Sequence, residues 1–189
     1  NMKYFLFICI ASFSSLALAQ DPQLEEQRCE DLLDSCEFYA CLEAEYSCGK
    51  KGYPISFGQK FCLKYEKKLF KFTTIGKNWI NKTKKCLIRK LSVYSEDLSC
   101  KELKKQAFKD HVPCYDESGY CELAKKDLKA VKKVIGLTML KPRVAKSGLE
   151  LKAVCHQKRL RSLGWINPSE IPEQLFLIPV QPPEDDQLQ

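Results

Sequence analysis

Ten cysteines between Cys29 and Cys155 place the strongest constraint on what this chain can fold into. They are Cys29, Cys36, Cys41, Cys48, Cys62, Cys86, Cys100, Cys114, Cys121 and Cys155. In an oxidising compartment, ten thiols predict five disulfide bonds, and each bond stabilises a fold by about 2–4 kcal/mol. The residues alone leave about 900 pairings open.

The N-terminal residues have the features of a secretory signal peptide. Lys3 precedes an apolar run over residues 4–18, and small residues around Ala19 mark a cleavage site. The run is too short to span a bilayer, and the polar residues 20–26 follow it directly. We therefore expect residues 1–19, which hold the eleventh cysteine, to be a cleaved leader of a secreted, extracellular protein.

Export also bears on the metal and charge chemistry of the chain. The only two histidines, His111 and His156, could assist a thiol-rich zinc site. Exported thiols oxidise, however, so we expect no metal site and no cofactor.

The formal net charge is +7, mostly from lysine. Such a charge suits acidic glycans or acidic proteins as partners, and it equally suits the solvated faces of helices.

Apolar residues recur at helical spacing along most of the chain. One set lies at steps of three and four residues and predicts a helical stripe in the core. The set consists of Phe57, Phe61, Tyr65, Leu69 and Phe72. The residues from Cys121 to Ile135 predict the clearest amphipathic helix, with lysines on its outer face. We expect an all-α fold, compact and rich in disulfides, with about five or six helices.

Local signals set the expected boundaries. Ser99 and Glu102 have the spacing of a capping box that opens a helix, and Pro113 is expected to end it. Ser147 and Glu150 predict a second capping box, after a loop around Pro142.

The domain is expected over residues 20–164. Residues 165–189 are rich in proline and predict an extended or disordered tail. Its small apolar segment, Leu175 to Ile178, is expected to dock back on the core.

The cysteine ladder and the sequence around it resemble the stanniocalcins, a family of secreted helical glycoprotein hormones. Residues 36–43, Cys-Glu-Phe-Tyr-Ala-Cys-Leu-Glu, resemble the family's motif of two cysteines separated by four residues and followed by Leu-Glu. Residues 71–86 resemble the segment that leads to its middle cysteine. The intervals of 23, 13 and 6 residues that follow Cys62, Cys100 and Cys114 resemble those of the family.

The resemblance runs from Arg28 to Cys155 and implies a pairing for all ten cysteines. The implied bonds are Cys29 to Cys41, Cys36 to Cys62, Cys48 to Cys100, Cys86 to Cys114, and Cys121 to Cys155. It also implies an extracellular role in calcium and phosphate balance through a protein partner, either a receptor or a secreted protease.

The sequence departs from the family pattern at two places. No cysteine follows Cys155 at the position where the family joins two chains, so we expect no disulfide-linked homodimer. The family's usual glycosylation sequon beside the early cysteines is missing. Asn81-Lys82-Thr83 is the only usable sequon, because Pro168 blocks the one at Asn167.

These features favour a hormone-like regulatory protein that binds an extracellular partner and is not an enzyme. His111 is followed by Val-Pro-Cys and not by the residues of a phospholipase site, and the chain has no Gly-x-Ser-x-Gly motif. We expect both histidines at the surface or at helix ends. The alternatives are a secreted protease inhibitor and a basic glycan-binding or defence protein without hormone activity. A sulfated glycan could bind Lys82, Lys84, Lys85, Arg89 and Lys90, or the lysines from 125 to 133. Nucleic acid is not expected as an extracellular partner.

Overall fold

The computed structural model describes residues 29–94 and 98–164. In these ranges the chain forms six α-helices and no β-strand, which confirms the all-α, disulfide-rich fold. The helices are α1 (Phe38–Tyr46), α2 (Lys60–Lys67), α3 (Thr74–Ser92), α4 (Cys100–Glu117), α5 (Lys125–Ile135) and α6 (Pro142–Ser162). The expected leader at 1–19 and the tail at 165–189, with its apolar segment, lie outside the described residues.

Four short 3₁₀ turns and one π-helical segment connect or extend these helices. The turns are Cys29–Leu32, Leu69–Lys71, Tyr120–Glu122 and Gly136–Leu140. The π-helical segment Pro54–Gln59 runs directly into α2. The aromatic stripe that begins at Phe57 is therefore divided among three elements, although it packs into the core as predicted.

The core consists of two hydrophobic clusters that meet at Phe57. The first lies between α1, the C-terminal half of α3 and α4, and includes Phe38, Ile88 and Leu103. The second lies between α2, the start of α3 and α5, and includes Trp79. The Phe57 ring centroid lies 4.7 Å from that of Phe61 and 4.7 Å from that of Phe108, so aromatic contacts join the two clusters.

Five disulfide bonds tie these elements together, with paired Cα atoms 5.3–5.7 Å apart. The pairs are Cys29–Cys41, Cys36–Cys62, Cys48–Cys100, Cys86–Cys114 and Cys121–Cys155. These are the pairs that the family resemblance implies. The Cys86–Cys114 bond joins α3 to α4, and the Cys121–Cys155 bond attaches α6.

The prediction that Pro113 ends a helix is wrong. α4 continues to Glu117, although proline lacks the N–H that would bond to the carbonyl four residues earlier. Pro113 and Lys109, whose carbonyl loses this bond, are both exposed residues. The next turn is fixed from outside the helix, because Cys114 is bonded to Cys86 and the Tyr115 carbonyl accepts a hydrogen bond from Trp79 Nε1 at 3.3 Å.

The two predicted capping boxes have opposite outcomes. At the start of α4, the Ser99 N–H donates to Glu102 Oε2 at 2.9 Å, and Ser99 Oγ accepts from the Glu102 N–H at 3.3 Å, as predicted. The second box is wrong, because α6 begins at Pro142 and Ser147 lies inside it. Ser147 Oγ donates back to the Arg143 carbonyl. Proline at the first position of a helix removes no hydrogen bond, since an N–H at this position would have no partner in the helix.

The amphipathic helix predicted from Cys121 begins four residues later, at Lys125. Its lysines are exposed, as predicted, and Leu128, Val131 and Ile135 pack into the second core cluster. The buried residues of α5 are Asp127, Ala130, Val131 and Val134. An acidic residue in this face is the feature that apolar periodicity missed.

Asp127 is 0% exposed and fastens α5 to the start of α3. Its Oδ1 accepts from the Thr73 N–H at 2.8 Å, and its Oδ2 accepts from Thr73 Oγ1 at 2.7 Å. Thr73 Oγ1 in turn accepts from the Gly76 N–H and caps α3. Gly76 permits this approach, because a Cβ there would lie 2.5 Å from Asp127 Oδ1.

The substitution Asp127→Asn is expected to lower the free energy of unfolding by about 1–3 kcal/mol, because an amide presents one acceptor to two buried donors. Urea unfolding of the full chain measures the change. Asp34→Asn is the matched control, since Asp34 is an exposed partner of Lys85 and its loss should leave the unfolding midpoint nearly unchanged. Equal effects of both substitutions would contradict the proposed role of Asp127.

His111 was expected at the surface or at a helix end, and this is wrong. It lies inside α4, is 4% exposed, and packs among Tyr53, Phe57, Phe108 and Tyr115. Its Nδ1–H donates to the Ala107 carbonyl at 2.6 Å. Burial disfavours the charged imidazolium and lowers the pKa of His111 to about 4, although the hydrogen bond to Ala107 opposes this shift.

This burial predicts a loss of stability in mild acid. The unfolded chain binds a proton on histidine near pH 6.5, whereas the folded chain binds it near 4, so folding favours the neutral ring. The stabilisation is present above 6.5 and declines as the pH falls towards 4. Between pH 7.5 and 5 we expect a loss of about 2 kcal/mol from this group, measured by urea unfolding.

The exposed His156 provides the control for this pH dependence. His111→Gln should flatten the decline between pH 7.5 and 5, and His156→Gln should leave it in place. A decline that survives His111→Gln would contradict the assignment.

Candidate basic interface

The two basic surfaces that the sequence offered lie on different helices. One is on α3 and consists of Lys82, Lys84, Lys85, Arg89 and Lys90. The other is on α5, whose buried side faces the core and whose five lysines are exposed. Their surroundings differ, and the difference lies in how far neighbouring carboxylates neutralise them.

Carboxylates compensate part of the α3 surface. Lys84 Nζ lies 2.8 Å from Glu66 Oε1, and Lys85 Nζ lies 2.8 Å from Asp34 Oδ2. The hydrogen bond from Lys85 lowers the pKa of Asp34, and the charges of Lys85, Arg89 and Lys84 lower it further. The field of these basic residues is therefore partly cancelled at the protein surface.

On the second surface, four lysines surround one open depression of about 420 Å³. Lys126, Lys129 and Lys133 come from α5, and Lys71 comes from the turn before α3. Ala130 also lines the depression. We call these four residues the α5 lysine cluster. Within residues 29–94 and 98–164, no carboxylate lies within ion-pair distance of their ammonium groups.

The fold brings Lys71 to α5 through the hydrogen bonds of Asp127. Because Asp127 binds Thr73, the turn Leu69–Lys71 is held beside the first turns of α5. Lys71 Nζ also lies 5.6 Å from the centre of the Phe70 ring. Sequence reasoning found the α5 lysines but missed Lys71, since it lies 55 residues before Lys126 and no local pattern connects them.

The two histidines of the described part lie in different environments. His111 is enclosed in the core. His156 lines a second depression of about 490 Å³ with Glu122, Lys158 and Arg159. The two cysteines there, Cys121 and Cys155, are joined to each other, so neither supplies a thiolate nucleophile.

Two groups place a carboxylate beside a pair of cysteine sulfurs. They are Cys29, Cys41 and Glu45, and Cys36, Cys62 and Glu66. In both, the cysteines form a disulfide with each other, and a disulfide sulfur is not the thiolate that binds zinc.

The sequon residues lie on α3 with opposite environments. Asn81 is exposed, whereas Thr83 is 6% exposed. Thr83 Oγ1 is buried without a hydrogen-bond partner. The acceptor nitrogen of Asn81 therefore faces solvent, on the same helix as the basic residues of the α3 surface.

No helix in the described part of the chain combines the length and apolar character needed to cross a membrane. No curated protein and no solved structure matched the chain. The model of the stanniocalcin family matches residues 16–156, a region that contains all ten paired cysteines. Because this match covers more than half of the chain, the protein belongs to the stanniocalcin family.

Proposed function

We propose that this protein is a secreted, hormone-like regulatory factor of the stanniocalcin type that acts by binding an extracellular protein. The partner is a receptor or a secreted protease, and the process regulated is calcium or phosphate homeostasis. The observation that carries the proposal is the family match over residues 16–156.

The structure supports a binding role through its surface. The lysine and arginine side chains of α5 and α6 are exposed, and Leu151 is the one buried residue of α6. Exposed charged helices on a disulfide-bonded core present a fixed surface to a partner. The two depressions described above bring together lysine and arginine side chains.

Cell binding and ion transport test this function. The purified full chain, fluorescently labelled, is applied to ion-transporting epithelial cells in excess soluble heparin, which prevents attachment through sulfated glycans. We expect saturable binding that the unlabelled protein displaces, together with a change in calcium or phosphate uptake. Reduced and alkylated protein has the same composition without the fold and should do neither.

Binding that fails to saturate, or that the reduced protein reproduces, would contradict the proposal. Inhibition of a secreted metalloproteinase without any change in ion uptake would instead favour the protease-inhibitor alternative. Neither result depends on binding to sulfated glycans, because excess heparin is present.

We further propose that Asn81 carries an N-linked glycan and that the secreted protein is not a covalent dimer. The exposure of Asn81 supports the first part. In a eukaryotic secretory host, intact mass without reduction should give one glycosylated chain, and Asn81→Gln should remove the whole glycan mass. Non-reducing peptide mapping of the same sample checks the five cysteine pairs.

Two further variants make the glycan test specific. Asn167→Gln should leave the mass of the glycan unchanged, because Pro168 blocks that sequon. Thr83→Val should remove the glycan without loss of stability, since its buried hydroxyl has no hydrogen-bond partner to lose. A glycan that persists in Thr83→Val would place the modification elsewhere.

A further inference from the structure

We propose that the α5 lysine cluster, Lys71 with Lys126, Lys129 and Lys133, is a binding site for a sulfated glycosaminoglycan. The inference relies on the extracellular location in the proposed function, and it concerns a ligand separate from the protein partner. It also decides between the two basic surfaces that the sequence offered.

Repulsion among the lysines of the cluster lowers the stability of the folded protein. Lys126 and Lys129 are three positions apart on α5, and Lys129 and Lys133 are four apart, so their charges are neighbours on one face. Like charges at such spacings destabilise a helix by about 0.2–0.5 kcal/mol for each pair. Lys71 adds a fourth charge from another element. A polyanion would relieve this repulsion.

The shape of the site suits a linear polymer. From Lys126 to Lys133 the helix rises about 10 Å, and the lysines follow this line along one edge of an open depression. Ala130 lines the depression with a single methyl group, which leaves room for a chain to lie against the helix. A linear polymer with a sulfate on successive sugar units can therefore contact several ammonium groups at once.

Within residues 29–94 and 98–164, no carboxylate competes for the cluster. The nearest acidic residue on this part of α5 is Asp127, which is buried and whose two oxygens accept hydrogen bonds from Thr73. Its carboxylate therefore does not pair with the cluster. On the α3 surface, by contrast, Glu66 and Asp34 hold two of the lysines.

The location of the protein favours glycan over other polyanions. Anionic lipids are concentrated in the cytoplasmic leaflet of membranes, which a secreted protein does not meet. A glycan on Asn81 would lie on the α3 surface and would further obstruct that alternative.

Heparin affinity of the full chain tests the site. The triple variant Lys126→Gln, Lys129→Gln, Lys133→Gln removes three charges and keeps a similar helix propensity. We expect its dissociation constant for heparin to rise about ten-fold or more near 0.15 M ionic strength. The slope of log Kd against the logarithm of salt concentration should fall by about two to three, because three charges are removed. The control Lys82→Gln, Lys85→Gln, Lys90→Gln removes the same charge from α3 and should change Kd by less than about three-fold.

The outcomes separate this site from net charge and from membrane binding. Equal losses in the two variants would mean that only net charge matters and would overturn the proposal. Failure of the unmodified protein to bind heparin at 0.15 M ionic strength would also overturn it. So would cluster-dependent binding to phosphatidylserine vesicles in the absence of heparin binding.

A second measurement needs no variant. Acetylation of surface lysines on the native protein, read by peptide mass spectrometry, should slow at the four cluster residues when heparin is added, and should not slow at Lys82 or Lys90. Equal protection on both helices would contradict the assignment. Because these assays use purified protein and heparin alone, their failure would leave the hormone-like function to be judged by the cell experiments.

Discussion

The disulfide network is the constraint on which the rest of this structure depends. Two of the bonds hold the segment around α1, a third ties Cys48 to the start of α4, and Cys86–Cys114 joins the two longest core helices. The last bond, Cys121–Cys155, attaches α6, in which Leu151 is the one buried residue. A helix that buries so little apolar surface gains little stability from packing, so the covalent link replaces part of it.

Covalent attachment also explains how so much positive charge is tolerated. Repulsion among lysines on α5 acts against folding, but a cross-linked chain has a less favourable unfolded state. The core contributes through two clusters joined at Phe57, and through the hydrogen bonds of Asp127 to Thr73. The α5 lysine cluster can therefore stay unpaired on the folded protein. We place ligand binding at this cluster.

Local sequence signals succeeded where the deciding partner is close in the chain. The Ser99 capping box involves residues three positions apart, and the aromatic stripe from Phe57 follows helical spacing. Signals failed where a distant contact outweighed a local preference. Pro113 does not end α4, because Cys114 and Tyr115 are held by α3. His111 is buried for a similar reason, since Tyr53 and Phe57, more than 50 residues earlier in the chain, pack against its ring.

The sequence by itself determined the helical class, the ten-cysteine framework and the lysine-rich outer face of α5, because these follow from composition and from periodicity within one element. The cysteine pairing was available only through resemblance to a family. Only the tertiary structure decided which lysines stand together and which are neutralised. Lys71 reaches α5, and Lys85 reaches Asp34, through folding of segments that are about 50 residues apart, and no local pattern encodes such contacts.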